Sequence, residues 1–293
     1  MEILKKELIN YFEHLEADVH FTYMEIHRDL RKGTIHDLRI ALKRLQAFIK
    51  MWGAVNPHFP EKSAVKRFRT LFVEAGRLRD LHIEISLIST KEEMLKLNNG
   101  TSKQVADRIK EQKRIFREFE EAFSVFGIRE TCMQVASQLR KTSIPHLRIG
   151  LRKYFQDLLC NLSRLSREGM RSKNCLHELR RQIKEAQYNL IAIDKATPHI
   201  RLSMDLLKPL ETLQNQLGKW HDHCITIEKS KNLWNVPQSL RRQLRRDEAQ
   251  YLKEIRSFLA QLPQLCDLLW DEMDRMLKPQ KENVKEDMLN QLN

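Results

Sequence analysis

The sequence predicts an all-α protein made of two similar helical bundles side by side. Three observations predict it. Apolar residues recur at helical spacing in segment after segment, and no stretch alternates convincingly as a strand would. Only 8 Gly and 8 Pro punctuate 293 residues, of which 31% are charged and 41% hydrophobic, enough for a core. One helical stretch, with the motif that follows it, occurs twice about half a chain apart.

In chain order, residues 1–31 read as one or two helices with Leu4, Leu8, Tyr11, Phe12 and Leu15 on one face. Arg28, Arg31 and Lys32 suit a helix C-terminus, with Gly33 as its C-cap and Thr34 as the next N-cap. The next helix runs to about Trp52, where Gly53, Pro57 and Pro60 break it. A third starts near Glu61, with Phe68, Leu71, Phe72 and Ala75 as its apolar side. Asn98-Asn99-Gly100 reads as a turn, and Thr101 as the cap of a helix from Lys103 to about Phe126 with Ile109, Phe116, Phe119 and Phe123 as its seam. These phenylalanines read as core rather than as a base-stacking platform. Gly127 closes the first half, and residues 128–140 form a further helix ending before Ser143-Ile144-Pro145.

The second half reads as helices from His146 to about Ser166, from about Lys173 to Ile193, and from about His199 to Glu228. Turns fall near Gly169 and at Thr197-Pro198, and Pro209 predicts a kink or break. After Asn235-Val236-Pro237 come a basic helix over 238–262 and a last one over 263–277. The basic run at 241–246 reads mainly as solvated surface, with Arg241 or Arg245 as a minor candidate for the site. Residues 1–280 are thus one domain of two repeats, about 1–127 and 141–278, with a polar tail from 279 to 293.

The repeat carries the functional signal. In residues 35–50, Leu38, Leu42, Leu45 and Ile49 make an apolar seam, while His36, Arg39, Lys43 and Lys50 make a cationic stripe roughly 120° away. No carboxylate interrupts that stripe, although a solvated face normally mixes signs. An offset of 141 carries His36, Arg39 and Lys43 onto His177, Arg180 and Lys184, and the seam onto Leu179, Ile183, Ala186 and Leu190. Lys50 becomes Ile191. At an offset of 142, residues 76–83 (Gly-Arg-Leu-Arg-Asp-Leu-His-Ile) match residues 218–225 (Gly-Lys-Trp-His-Asp-His-Cys-Ile). Lys66 and Lys208 correspond too, each eleven residues before Arg77 or Lys219 and so on one helical face with it.

Lys and Arg outnumber Asp and Glu by 52 to 39, a net charge of +13, which predicts an anionic partner: nucleic acid, a membrane surface or a polyphosphorylated ligand. The five cysteines show no C-x-x-C spacing and read as free thiols in a reducing cytoplasm. The start lacks the apolar run of a signal peptide, and no window approaches the roughly 18 apolar residues of a membrane span, so the expected location is cytoplasmic, with no membrane partner.

The pattern His-x-x-Arg-x-x-x-Lys/Arg-Arg, then Leu-Gly-x-x-Arg-Asp-x-Asp/His about forty residues later, both repeated, resembles the CHAD domain, the conserved histidine α-helical domain. The likeness covers about residues 15–270. It implies two four-helix bundles related by a pseudo-two-fold axis around a basic central channel. It also implies binding of inorganic polyphosphate, and a place at polyphosphate granules or beside proteins of phosphate metabolism. The second copies depart from the first, with Glu185 for Arg44, His221 for Arg79, Lys219 for Arg77 and Trp220 for Leu78.

The residues themselves agree with that implication. A linear polyanion with about one charge per phosphate is matched by cations in a line, with Arg for bidentate contacts and Lys as a point charge. The expected ligand-binding residues are His36, Arg39, Lys43, Arg44, Arg77 and Arg79, with His177, Arg180, Lys184, Lys219 and His221, and Lys66 and Lys208 besides. Asp80 and Asp222, three residues after Arg77 and Lys219, either hold those side chains in a binding rotamer or form ordinary intrahelical bridges or caps.

Two other function classes are weighed. His36-Asp37 and His221-Asp222 suggest an HD-type metal-dependent phosphohydrolase. The repeat argues against it, because His221-Asp222 corresponds to Arg79-Asp80 and arginine is no metal ligand. No P-loop and no Ser/His/Asp arrangement is apparent, so neither catalysis nor a cofactor is expected. Nucleic-acid binding is permitted by charge, but no reading motif is present, so it would be sequence-independent.

Overall fold

The structure is a computed structural model that describes residues 2–95, 100–124, 126–231 and 238–278. Among these residues every regular element is a helix, and there is no strand. The first half comprises α1 (Glu2–Arg28), α2 (Lys32–Val55), α3 (Glu61–Leu95), α4 (Gly100–Ala122) and α5 (Phe126–Lys141). The second comprises α6 (Ile144–Glu168), a 3-10 turn (Gly169–Arg171), α7 (Lys173–Ala196), α8 (Met204–Lys231) and α9 (Gln238–Leu277). No helix among the described residues is long and apolar enough to cross a membrane.

Neighbours in the chain pack as neighbours in space: α1 on α2, α2 on α3 and α3 on α4, then α6 on α7, α7 on α8 and α8 on α9. Across the middle, α2 meets α7, α3 meets α8, α1 lies on α7 and α6 lies on α2. Exchanging each first-half helix with its second-half counterpart leaves these cross-contacts unchanged. The two apolar seams of the repeat drive this packing. Leu38, Leu42, Leu45 and Ile49, and Leu179, Ile183, Ala186 and Leu190, all have no exposed surface and belong to one continuous core. The expected aromatic core holds too, with Phe68 and Phe116 fully buried and Phe72, Phe119 and Phe123 packed against it.

The halves differ in how they close. In the second, α6 packs along α9, Arg152 Nε donates to Asp274 at 2.8 Å, and Arg148 donates to the last carbonyls of α9, where a cation suits the helix end. In the first, α5 packs against α1, and Lys5 donates to the terminal carbonyl of Arg140 at 2.9 Å. A polar chain joins the halves. The buried Asn189 amide donates to the Ala47 carbonyl (3.0 Å) and to the Tyr154 hydroxyl (2.6 Å). Tyr154 donates in turn to Glu185 (3.2 Å), which also pairs with Lys50 (3.0 Å).

Several expected boundaries move. α2 begins at Lys32, so Gly33 lies inside its first turn, and Thr34 donates back to the carbonyls of Asp29 and Arg31 instead of capping. Gly53 does not break α2, which runs on to Val55; it makes room for α3, because a Cβ there would lie 2.8 Å from Glu61 Cβ. Thr101 and Gly127 likewise fall within α4 and α5 rather than at their caps. α8 starts at Met204, not near His199, since the Leu202 N–H bonds the Asp194 carboxylate at 2.8 Å and holds that stretch as a loop. Pro209 sits in the second turn of an unbroken α8, where the ring costs one helical hydrogen bond. Residues 238–262 and 263–277 are one helix: Leu259, Leu262, Cys266 and Leu269 bury a continuous stripe past Pro263, and that burial offsets the roughly 3 kcal/mol proline penalty. Asn98-Asn99, the break at 235–237 and the polar tail from Pro279 lie outside the described residues.

Candidate functional site: a cation cluster between the halves

The facing of α2 and α7 brings the two copies of the cationic stripe together. Arg39 and Lys43 come from α2, Arg180 and Lys184 from α7, and Arg79 from α3, all half-buried. Arg79 ties them into one group, because its charge acts on Arg39, Lys43, Arg180 and Lys184 and on His36 and His221. None of the five Arg and Lys side chains forms an ion pair among the described residues. Surface cations elsewhere do so routinely, as Arg77 with Glu74 at 2.8 Å.

The cost of that arrangement shows in the side chains. Burial, then the charges of Lys184, Arg39, Arg180 and Arg79, push Lys43 down to about 7. Burial, then Arg180 and Arg79, push Lys184 down to about 8, against the opposing charge of Asp222. Burial and Arg79 bring Arg39 to about 10, still charged at neutral pH. Burial and Arg180 hold His221 at about 4, and His36 and His177 are lowered, first by burial and then by Arg79 and Arg180 respectively. The Nε atoms of Arg39 and Arg180, and His221 Nδ1, are buried without any hydrogen-bond partner. Like charges gathered in low dielectric, with donors left unmatched, are costly unless something of opposite charge offsets them.

Arg39 is the most firmly positioned member. Its guanidinium donates to the Phe72 carbonyl at 2.5 Å and stacks 3.9 Å from the centre of the Phe72 ring. It occupies the space that a side chain on residue 76 would need, which Gly76 leaves open. Lys43 Nζ lies 5.3 Å from the same ring centre. Phe72 is therefore a site residue as well as a core residue. Its period placed it on the apolar side of α3, and the four-residue step to Gly76 is the only sequence sign of its second role.

The second half is built differently. No atom lies near a Cβ placed on Gly218. His177 packs 4.7 Å from the Trp220 ring and 4.9 Å, edge-on, from His221, so an aromatic group stands where the first half has Leu78 and Arg79. His36 is exposed, at the edge of the cluster. Asp80 and Asp222 act on the facing helices, where their charges oppose the lowering of Arg39 and of Arg180 and Lys184.

Other expected residues sit elsewhere. Arg77 lines a groove with Asp107, Arg108 and Glu111 of α4. Lys66 is beside Glu130 and Gln134 of α5. Arg44 lies in a groove between α1 and α7, with Tyr11, Tyr188 and Lys195. Lys208 and Lys219 are exposed on α8. Among the described residues, no three His, Cys, Asp or Glu side chains gather as a metal would need, and the five cysteines are free.

Residues 16–229 match the family model described as the CHAD domain. The chain also resembles the crystal structure of the CHAD domain from the plant Ricinus communis, over 94% of this chain and 91% of that one, with a TM-score of 0.55 and 15% identity. None of the curated proteins matches the sequence.

Proposed function

Since the chain belongs to the CHAD-domain family, we propose that it binds inorganic polyphosphate, without catalysis, in the cation cluster between its halves. One observation carries this reading: Arg39, Lys43, Arg79, Arg180 and Lys184 converge from both repeats, half-buried and with no ion pair among the described residues. Such a cluster is costly when empty, and a chain of phosphates relieves it by supplying a charge for each cation. A duplex presents its phosphates on a wide, stiff cylinder, and a compact, half-buried group of cations matches a thin, flexible chain better. Association with polyphosphate granules, or with proteins of phosphate metabolism, would follow from this binding.

The test is binding of long-chain polyphosphate across a salt series. It compares wild type with Arg39→Glu/Lys43→Glu and Arg180→Glu/Lys184→Glu, with duplex DNA and RNA as competitors. The expected result is tight binding that falls steeply with salt, weakens at least about 100-fold in either double variant, and resists nucleic acid at equal phosphate concentration. Weak binding indifferent to all four residues would overturn the reading.

A further inference from the structure

The outer face of α9 carries a separate arrangement of cations. Arg242, Arg246, Lys253 and Arg256 follow one another at steps of four, seven and three, so they lie in one line along the helix, roughly 20 Å long. Ala249 and Ala260 fill the remaining places in that line, and all six residues are exposed. Leu244, Ile255, Leu259 and Leu262 hold the far side of α9 in the core. Arg241 and Arg245, also exposed, flank the line. The three acids of residues 238–260 lie off it. Glu248 is paired with Lys173 of α7, and Asp247 and Glu254 stand roughly 120° round the helix, where Glu254 accepts from Gln250 at 2.8 Å.

None of these six cations forms an ion pair among the described residues. Surface arginines elsewhere have an acid one turn away, as Arg114 has Glu111 and Glu118, Arg164 has Glu168 and Arg275 has Glu272. On α9 the residues one turn beyond Arg241 and Arg242 are again arginines, which weakens a helix rather than supporting it. The chemistry of this face selects among polyanions. No aromatic residue stands in the line to stack unpaired bases. Two alanines are its only apolar side chains, too little to insert into a lipid surface. A duplex needs neither. Over about 20 Å it presents about a dozen phosphates, and the small side chains at 249 and 260 let it come close to the helix.

We propose that this face of α9 binds the phosphate backbone of double-stranded nucleic acid, independently of sequence and of the cluster between the halves. Arg242, Arg246, Lys253 and Arg256 meet phosphates along the line, with Arg241 and Arg245 at its edge. Arginine suits such contacts because its planar fork can bond two phosphate oxygens at once. The two groups of cations divide anions by shape: the half-buried cluster suits a thin chain, and the exposed, convex line suits a wide cylinder. Affinity at the line comes from the release of counterions and falls steeply with salt.

The experiment follows the fluorescence anisotropy of a labelled DNA duplex of about 20 base pairs with the full chain across a salt series. It compares wild type with Arg242→Gln/Arg246→Gln/Lys253→Gln/Arg256→Gln. Two controls lower the net charge equally. One is Lys62→Gln/Lys110→Gln/Lys141→Gln/Lys153→Gln, at exposed positions on α3 to α6, and the other is Arg39→Glu/Lys43→Glu. The α9 variant is expected to bind the duplex at least about tenfold more weakly, with a slope of log affinity against log salt smaller by about three to four. Both controls should stay within about threefold of wild type. Equal losses in the two quadruple variants would show that net charge alone holds the duplex, and would overturn the proposal. A loss in Arg39→Glu/Lys43→Glu that the α9 variant lacks would also overturn it, by moving the duplex to the cluster. So would tighter binding to vesicles containing about one-third phosphatidylserine than to the duplex. Polyphosphate affinity unchanged in the α9 variant is the expected sign that this surface and the proposed function are separate, and joint loss of both ligands there would refute that separation.

Discussion

The guanidinium of Arg39 fills the notch left by the missing side chain of Gly76. The counterpart glycine, Gly218, has open space in that direction. The same substitution should therefore act oppositely at the two sites. Gly218→Ala is expected to stabilise the protein by about 0.5–1 kcal/mol through helix propensity and to leave anion binding unchanged. Gly76→Ala gains the same propensity but must push Arg39 from its place on Phe72, so polyphosphate affinity should fall about tenfold while the protein stays folded. Thermal melts together with binding isotherms on the two variants check this.

Clustered cations make the empty protein less stable than it could be. Lys43→Met removes the most strained of them and keeps the volume of its stem. The expected result is a gain of about 1–2 kcal/mol in the ligand-free protein with a loss of affinity, the trade typical of a site tuned for function. Chemical denaturation with and without polyphosphate measures both sides.

Binding should carry protons with it. Lys43 near 7 and Lys184 near 8 are partly neutral at pH 8, and a bound polyanion favours their charged forms. At pH 8 the complex is expected to take up about one to two protons, and affinity should fall as pH rises from about 7 to 10. The ligand-free protein should show the opposite trend. The two lysines are lowered in the fold relative to the unfolded chain, so their penalty is full below about pH 7 and fades as pH rises toward 10. Calorimetry in two buffers of different ionisation enthalpy reads the uptake. Lys43→Arg/Lys184→Arg should keep the binding and lose the uptake, because arginine does not deprotonate in this range.

Asn189 and Tyr154 stitch the halves together away from the cations. Tyr154→Phe leaves the Asn189 amide with the Ala47 carbonyl alone and takes a donor from Glu185. A loss of about 1–2 kcal/mol in stability is expected, with binding unaffected once the protein is folded. A matching loss of affinity would show that the seam and the site are coupled.

Much of this was legible in the sequence, for a physical reason. The seams of residues 38–49 and 179–190 and the stripes beside them obey helical period, and their repetition at one offset told that both copies serve one place. What could not be read is what depends on distant partners. Arg44 and Arg77 share motifs with true members of the cluster, yet each points into a different groove, because neighbouring residues on a helix are about 100° apart. Asp80 and Asp222 read from the sequence as partners of their own helices; that their charges also reach Arg39 on α2 and Arg180 on α7 depends on how the helices face each other, which no spacing shows. Pro263 reads as a helix boundary by its own chemistry and is overruled by the buried stripe around it.

The bridge between Lys50 and Glu185 has a consequence for how the duplication can be used. At the offset of 141, Lys50 corresponds to Ile191 and Glu185 to Arg44, and these two counterparts share the groove between α1 and α7. Two copies of the first half would set an arginine against Lys50 on both sides. The repeat has thus ceased to be self-complementary: the contact is heterologous, made by one half as donor and the other as acceptor. A single, partly exposed pair of this kind is worth at most about 1 kcal/mol, so it biases the halves toward unlike partners without compelling the choice.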